Sequence, residues 1–195
     1  MNQIPTPLRV GFVMTGSFCT FSKVLAQLEI MAARPDWEII PIMSENAYSI
    51  DTRFGSAKDF REKIESICGR EILHTIFQTE PIGPKKLLDV LVVAPCTGNT
   101  LGKLANGIID TSVTLAVKAH LRNARPVVIA ASTNDALANS AKNIGTLLNN
   151  KNIFFVPMAQ DNAENKPCSV VADFTKIIPA VESALHQKQL QPLLI

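Results

Sequence analysis

The chain has 195 residues, of which 47% are hydrophobic and 18% are charged, and its formal net charge is +2. A chain of this length fits one domain with a sizeable buried core, and its composition excludes an intrinsically disordered protein. Its small net charge, without a basic run, argues against a nucleic-acid-binding surface. We therefore expect a single domain over residues 1–195, with a core at about 8–185 and a flexible carboxy-terminal tail.

The four cysteines and three histidines do not form the pattern of a metal site. The cysteines are far apart and include no C-x-x-C pair, so we expect no bound metal. The amino-terminal segment Met1–Pro5 lacks a charged region and a long apolar run, so we expect no signal peptide. Since no apolar run approaches the roughly 20 residues needed to cross a bilayer, a cytoplasmic protein with reduced thiols and no membrane partner is predicted.

Short apolar runs alternate with amphipathic segments along the chain. The apolar runs predict strands at Arg9–Met14, Glu38–Met43, Leu87–Ala94, Pro126–Ala131 and Asn152–Val156. Helical spacing predicts helices at Thr20–Ala32, Ser56–Cys68, Asp110–Leu121, Asp135–Asn149 and Val170–His186, and another begins after a polar loop at 97–100. This alternation predicts an α/β fold, a doubly wound parallel sheet between two helical layers.

Prolines and polar stretches qualify this pattern at five places. Pro41 suggests that the second strand lies at a sheet edge or carries a bulge, whereas Pro95 is expected to end the third strand. Pro179 either kinks the last helix or lies in its true first turn. Met158–Pro167 is predicted to be a mobile loop, and the tail from Gln187 is expected to fray.

Polar residues follow four of the predicted strands, at Thr15–Ser17, Ser44–Asn46, Thr97–Thr100 and Ser132–Asn134. The carboxyl ends of parallel strands share one edge of a sheet, which is where ligands bind in this architecture. Turn and helix-cap preferences alone explain any single cluster. Four clusters on one rim instead predict a pocket rich in hydroxyl and backbone donors, suited to an anion such as phosphate.

The sequence matches neither of two common phosphate-binding motifs. The dinucleotide fingerprint G-x-G-x-x-G should follow the first strand, but only Gly11 and Gly16 occur there and Gly11 lies within the strand. The segment Gly98–Lys103 imitates a P-loop but has three residues between its glycines and Leu104 in place of the hydroxyl residue that binds magnesium.

Residues 94–110 have the sequence Ala-Pro-Cys-Thr-Gly-Asn-Thr-Leu-Gly-Lys-Leu-Ala-Asn-Gly-Ile-Ile-Asp. This stretch resembles the signature of the flavoprotein family, which contains the homo-oligomeric flavin-containing cysteine decarboxylases and the flavin prenyltransferases. The resemblance covers about residues 8–185 and implies a flavodoxin- or Rossmann-like fold, a homo-oligomer and a site for flavin mononucleotide (FMN). It assigns seven residues to FMN: Thr15, Gly16, Ser17, Ser44, Thr97, Asn99 and Thr100.

The catalytic residues of these relatives are not matched. The histidine of the cysteine decarboxylases falls on Glu80-Pro81, and His74 is expected at the surface. The decarboxylases' substrate clamp corresponds to residues 131–137 and keeps the asparagine without its two methionines; the prenyltransferases' Arg-Glu pair falls on Ser132-Thr133. We take Ser132, Thr133 and Asn134 as candidate substrate contacts and leave the catalytic residues unassigned.

Two further side chains near the signature are expected to be structural. Cys96 precedes a helix start, which lowers a thiol pKa, but no histidine is near it in sequence. Lys103 is expected on a helix surface or at an interface.

Three functions stay open. The resemblance favours one component of a two-chain oxidoreductase that acts on a small dicarboxylate; since this chain lacks a dinucleotide fingerprint, NADP would bind to a separate partner chain. The alternatives are a stand-alone FMN-dependent decarboxylase or prenyltransferase-like enzyme, and a non-catalytic scaffold that binds FMN or only phosphate.

Overall fold

The computed structural model describes residues 6–195, so Met1–Pro5, from which we expect no signal peptide, lies outside the described residues. The strands are β1 (Leu8–Met14), β2 (Trp37–Met43), β3 (Val90–Cys96), β4 (Val127–Thr133), β5 (Ile153–Phe155), β6 (Met158–Ala159) and β7 (Val170–Ala172). The helices are α1 (Phe21–Ala32), α2 (Glu45–Ser49), α3 (Ala57–Cys68), α4 (Ile76–Thr79), α5 (Gly98–Ala105), α6 (Ser112–Leu121), α7 (Ala141–Leu148) and α8 (Ile177–Leu185).

The strands form one mixed sheet in which β2, β1, β3 and β4 run parallel in that order. Beside the first half of β4 lies β5, also parallel, and beside its second half lies β7, which is antiparallel and pairs with β6. Helices cover both sides of the sheet, so the predicted α/β class is confirmed. The antiparallel pair of β6 and β7 was not predicted.

Strand β3 lies in the centre of the sheet, and all seven of its residues are buried. Its near-continuous apolar sequence is typical of a parallel strand covered on both faces. Strand β2, which contains Pro41, lies at the edge, as the sequence suggested. No helix among residues 6–195 has the length and hydrophobicity needed to cross a membrane.

The prediction that Pro95 ends the third strand is wrong. Strand β3 continues to Cys96, and its register with β4 shifts between Val93 and Cys96. At this irregularity the missing N–H of proline breaks no regular ladder bond. The predicted polar loop at 97–100 is the cap and first turn of α5, so strand and helix follow each other almost directly.

The helix predicted at Asp135–Asn149 begins later, at Ala141. Residues 135–140 form successive turns, in which the N–H groups of Ala138 and Ser140 donate to the carbonyl of Asp135. The Asp135 carboxylate also accepts the Ser140 hydroxyl at 2.8 Å. Such local side-chain bonds compete with helix formation and delay the helix start.

The predicted last strand is followed by two more. Met158 and Ala159, expected to be loop, form β6, and Val170–Ala172, expected to be helical, form β7. β-branched valines fit a strand better than a helix. Helix α8 begins at Ile177, so Pro179 lies in its first turn, where its missing N–H is tolerated.

The tail from Gln187, expected to fray, is bonded to the sheet in the structure. The Gln189 side chain accepts from the N–H of Phe155 at 2.8 Å and donates to its carbonyl at 2.6 Å. Further on, Leu193 accepts from Met158 N at 2.9 Å, and Ile195 N donates to Met158 O at 3.2 Å. These bonds cover the outer sides of β5 and β6.

Candidate functional site

A cavity of about 720 Å³ lies at the carboxyl ends of β1, β2 and β3, and we call it the rim pocket. Six of the seven residues assigned to FMN line it: Thr15, Gly16, Ser44, Thr97, Asn99 and Thr100. The seventh, Ser17, turns toward Ser132 on β4, and their Oγ atoms lie 2.8 Å apart. The structure therefore brings six of these residues to one cavity, while their contact with FMN stays a prediction.

Thr15 joins the ends of β1 and β3. Its hydroxyl donates to Pro95 O at 2.7 Å and accepts from Thr97 N at 3.1 Å, and the residue is 1% exposed. Because its proton is directed to Pro95, Thr15 shapes the pocket in this arrangement and does not itself donate to an anion. This hydroxyl supplies a partner for Thr97 N and a second partner for Pro95 O, which also accepts from Thr15 N at 3.3 Å.

The rim pocket faces the first turns of α5 and α6. Thr97 caps α5 by accepting from Thr100 N at 3.3 Å, and Thr111 caps α6 by accepting from Thr114 N at 3.1 Å. Within residues 6–195, the N–H groups of Gly98 and Asn99 have no acceptor. Free N–H groups at the positive end of a helix suit a phosphate group.

Three charged residues line the rim pocket, Glu45, Lys103 and Asp110; Glu45 belongs to the predicted cluster Ser44–Asn46, whereas Lys103 and Asp110 were not predicted there. Lys103 Nζ lies 2.7 Å and 2.8 Å from the two carboxylate oxygens of Asp110. The prediction that Lys103 lies on a helix surface overlooked the turn at Asn106-Gly107. Gly107 has φ +67°, and this left-handed residue reverses the chain so that Asp110 reaches Lys103.

Glu45 connects the end of β2 to α6. Its Oε1 accepts from Ser112 N at 2.7 Å, and Ser112 Oγ donates to Met43 O at 2.8 Å. A carboxylate at the first turn of a helix is stabilised by the free N–H groups and the helix dipole. Glu45 therefore fixes α6 against the rim pocket, and no adjacent sequence motif signals this long-range contact.

A second cavity of about 510 Å³ lies between α5, the turn after β4, and α7. We call it the α5–α7 pocket. It shares Asn99 and Lys103 with the rim pocket. Of the three candidate substrate contacts, Thr133 lines it, Ser132 is buried against Ser17, and Asn134 is exposed and lines neither cavity. The structure thus does not bring these three residues together at one cavity.

A hydrogen-bonded network forms one wall of the α5–α7 pocket. Asp135 Oδ1 accepts from Thr133 Oγ1 at 2.6 Å and from Ser140 Oγ at 2.8 Å. The hydrogen bond from Thr133 is the main cause that holds the pKa of Asp135 below its usual value, and that from Ser140 adds to it. Hydrogen bonds to the charged form of a carboxyl favour ionisation, so this carboxylate is negative at neutral pH.

Asp135→Asn is expected to reduce the acid sensitivity of the fold. Since the pKa of Asp135 is lowered in the folded state, its stabilising contribution is full above the unfolded value of about 4 and is lost as pH falls through the folded pKa. The variant should therefore be less stable at pH 7 but lose less stability between pH 5 and pH 3. Thermal unfolding over this range measures both effects. Asp59→Asn, exposed on α3, is the control, and equal acid losses in D135N and wild type would contradict the prediction.

The other candidate reactive groups are structural in this fold. Cys96 is fully buried, and burial raises the pKa of its thiol far above its usual value, so it holds no thiolate. The His74 ring stacks on Tyr48 with centroids 3.6 Å apart and lies outside the rim pocket. Residues 6–195 contain no cluster of three or more histidine, cysteine or acidic residues that could hold a metal ion.

Comparison with known proteins agrees with this architecture. The chain is 44% identical over 187 residues to the B subunit of dipicolinate synthase of Bacillus subtilis, a match that spans 96% of this chain and 93% of that protein. The crystal structure of the B subunit of dipicolinate synthase from Bacillus halodurans superposes with a TM-score of 0.89 at 40% identity, covering 99% of this chain and 98% of that one.

A more distant structure shares the fold. DmrB of Burkholderia xenovorans in complex with FMN matches with a TM-score of 0.67 at 18% identity, over 92% of this chain and 96% of that one. The model of the family described as Flavoprotein matches residues 3–186. The resemblance found in residues 94–110 is thereby confirmed, and the chain belongs to the Flavoprotein family.

Proposed function

We propose that this chain acts as the FMN-binding B subunit of a dipicolinate synthase. It works in the cytoplasm of the mother cell of a spore former, with a separate NADP-binding A subunit. Together they convert a dihydrodipicolinate-type precursor into pyridine-2,6-dicarboxylate during sporulation. The observation that carries the proposal is the 44% identity to the B subunit of the Bacillus subtilis enzyme over almost the whole of both chains. Homo-oligomerisation is part of the proposal, since it is expected from the family resemblance.

The residues of the rim pocket fit FMN. A volume of about 720 Å³ is in the range of small-molecule and cofactor sites. The donor set suits the phosphate: Asn99 offers a free N–H group, and Ser44 Oγ accepts from Ala47 N at 3.3 Å, which leaves its proton free. The Lys103–Asp110 ion pair closes another side of the pocket.

A bound flavin would supply hydride and electron transfer. The chain's own residues position the reactants around it. Asn99 and Lys103 line both cavities and therefore lie between the FMN site and the α5–α7 pocket. Asp110 holds the Lys103 ammonium in one place, and Glu45 holds the start of α6.

The decarboxylase and prenyltransferase alternatives gain no support from the site. Ser132 and Thr133, at the position of the prenyltransferases' Arg-Glu pair, are engaged with Ser17 and Asp135. The scaffold alternative predicts that the chain has no need of flavin, and it is decided by experiment.

The test combines FMN titration with an assay of the reconstituted two-chain enzyme. We expect the purified chain to take up FMN, and dipicolinate to form from the precursor with NADP only when the A subunit is added. Ser44→Ala should weaken FMN binding by about tenfold, since a hydrogen bond to a charged group contributes about 1.5–3 kcal/mol. Flavin fluorescence measures this affinity.

Ser49→Ala is the matched control, because Ser49 lies on the same helix and its hydroxyl donates only to Glu45 O of that helix. Dipicolinate formation by this chain alone would contradict the proposal that it needs a partner chain. A pair of chains that is active while this one takes up no FMN would show a scaffold function instead.

A further inference from the structure

The α5–α7 pocket contains a buried amide whose hydrogen-bonding groups are unused. Asn143, on α7, is 8% exposed and lines this pocket. Its side chain has no hydrogen-bond partner among residues 6–195. Every side-chain N or O atom of these residues that is closed off from solvent does have a partner, so the Asn143 amide is not closed off. The Asn143 amide therefore opens into the pocket. An amide that reaches an open cavity without a protein partner is available to bond a ligand in place of water.

One lysine of this pocket is available to an anion. Its ionisable side chains are Lys103, Lys142 and Asp135. The Asp135 Oδ1 atom is occupied by the hydroxyls of Thr133 and Ser140, whereas Lys142 is exposed and makes no ion pair within residues 6–195. Because Asp110 pairs with Lys103, Lys142 is the ammonium of this pocket that is available to an anion, and it precedes Asn143 on α7.

The pocket also adjoins the rim pocket. Asn99 and Lys103 line both cavities, so a ligand in one would contact a ligand in the other through them. On the α5 side the wall includes Gly102, where an added Cβ would come within 3.4 Å of Asn143 Nδ2. A side chain at this position would therefore contact the Asn143 amide.

From these observations we infer that the α5–α7 pocket binds the substrate through one of its carboxylates. Asn143 donates to a carboxylate oxygen, Lys142 neutralises its charge, and the ring lies toward Asn99 and Lys103, beside the flavin. The inference rests on the proposed function for the identity of the acid, a small heteroaromatic dicarboxylate or its dihydro precursor. The inference places the substrate carboxylate at residues of α7 and not at the earlier candidates Ser132 and Asn134.

Calorimetric titration of the full-length chain with pyridine-2,6-dicarboxylate tests the inference. Wild type should bind it, and should not bind pyridine, which lacks carboxylates. Asn143→Leu and Lys142→Ala should each weaken binding by about tenfold, the loss expected for one hydrogen bond or contact to a charged group. Asn143→Asp should weaken it further, because a second carboxylate repels the first.

Lys151→Ala is the control, an exposed lysine that lines neither cavity. If Asn143→Leu fails to fold, the Lys142→Ala variant still tests the inference, because Lys142 is exposed and its replacement should not disturb folding. Unchanged binding in both variants, or no binding by wild type, would overturn the inference. FMN affinity measured in parallel separates it from the proposed function: dipicolinate binding that depends on Lys142 in a chain that takes up no flavin would uphold this site while the flavin proposal fails.

Discussion

Replacing Gly98 by alanine is expected to destabilise the fold and to weaken FMN binding together. An added Cβ would lie 2.6 Å from Thr133 Oγ1, 2.9 Å from Asp135 Oδ1 and 3.0 Å from Ser140 Oγ. These atoms belong to one hydrogen-bonded network, so none of them moves without breaking a bond. Overpacking of this kind costs about 2 kcal/mol, which for a chain of this size lowers the Tm by about 4–8 °C.

Gly145→Ala is the matched control for this substitution. Gly145 lies in α7, and an added Cβ there would meet nothing within 4 Å. Alanine in a helix interior is better than glycine by about 0.5–1 kcal/mol, so this variant should be slightly more stable and bind FMN normally. Thermal unfolding and flavin fluorescence measure both variants. A Gly98→Ala protein as stable as wild type would show that α5 can move away from β4.

Thr15→Val is expected to destabilise the fold about as much as Gly98→Ala. Valine keeps the shape of threonine but removes the hydroxyl that bonds both Pro95 O and Thr97 N. Thr97 N then loses its partner, whereas Pro95 O keeps its bond from Thr15 N at 3.3 Å. We therefore expect a loss of about 1–3 kcal/mol in urea unfolding. FMN affinity should fall as well, since Thr97 begins the turn that presents the free N–H groups of α5.

Two variants control for the Thr15 substitution. Thr15→Ser keeps the hydroxyl and should retain most of the stability and FMN affinity. Thr146→Val removes an exposed hydroxyl that donates only to Lys142 O within its own helix, at 2.8 Å. If Thr146→Val lowered the free energy of unfolding as much as Thr15→Val, the prediction that the Thr15 hydroxyl stabilises the junction of β1 and β3 would be contradicted.

The parallel half of the sheet could be predicted because its signals are local. The apolar runs that form β1, β3 and β4 stand between clear helical patterns, and a polar residue follows each run. The rim pocket follows from the same pattern, since parallel strands place their carboxyl ends together. The signature at 94–110 identifies the family from a continuous stretch of sequence, without any information on long-range contacts.

Other parts of the site depend on contacts that sequence spacing does not show. The turns from Asp135 to Ser140 arise from side-chain hydrogen bonds that outweigh helix propensity, and they form a wall of the α5–α7 pocket. Lys103 reaches Asp110 only because Gly107 reverses the chain. The pair of β6 and β7 is too short to leave a period in the sequence.

Other segments of the chain bond parts of the outer strands of the sheet. On the β2 side, Leu73 exchanges hydrogen bonds with Met43 N and Pro41 O. On the opposite side, the Gln189 amide occupies Phe155, and Leu193 and Ile195 occupy Met158. Exposed strand edges are the usual route to intermolecular sheet extension. A strand-mimicking peptide would therefore meet backbone groups that are already bonded at β5, at β6 and at the end of β2.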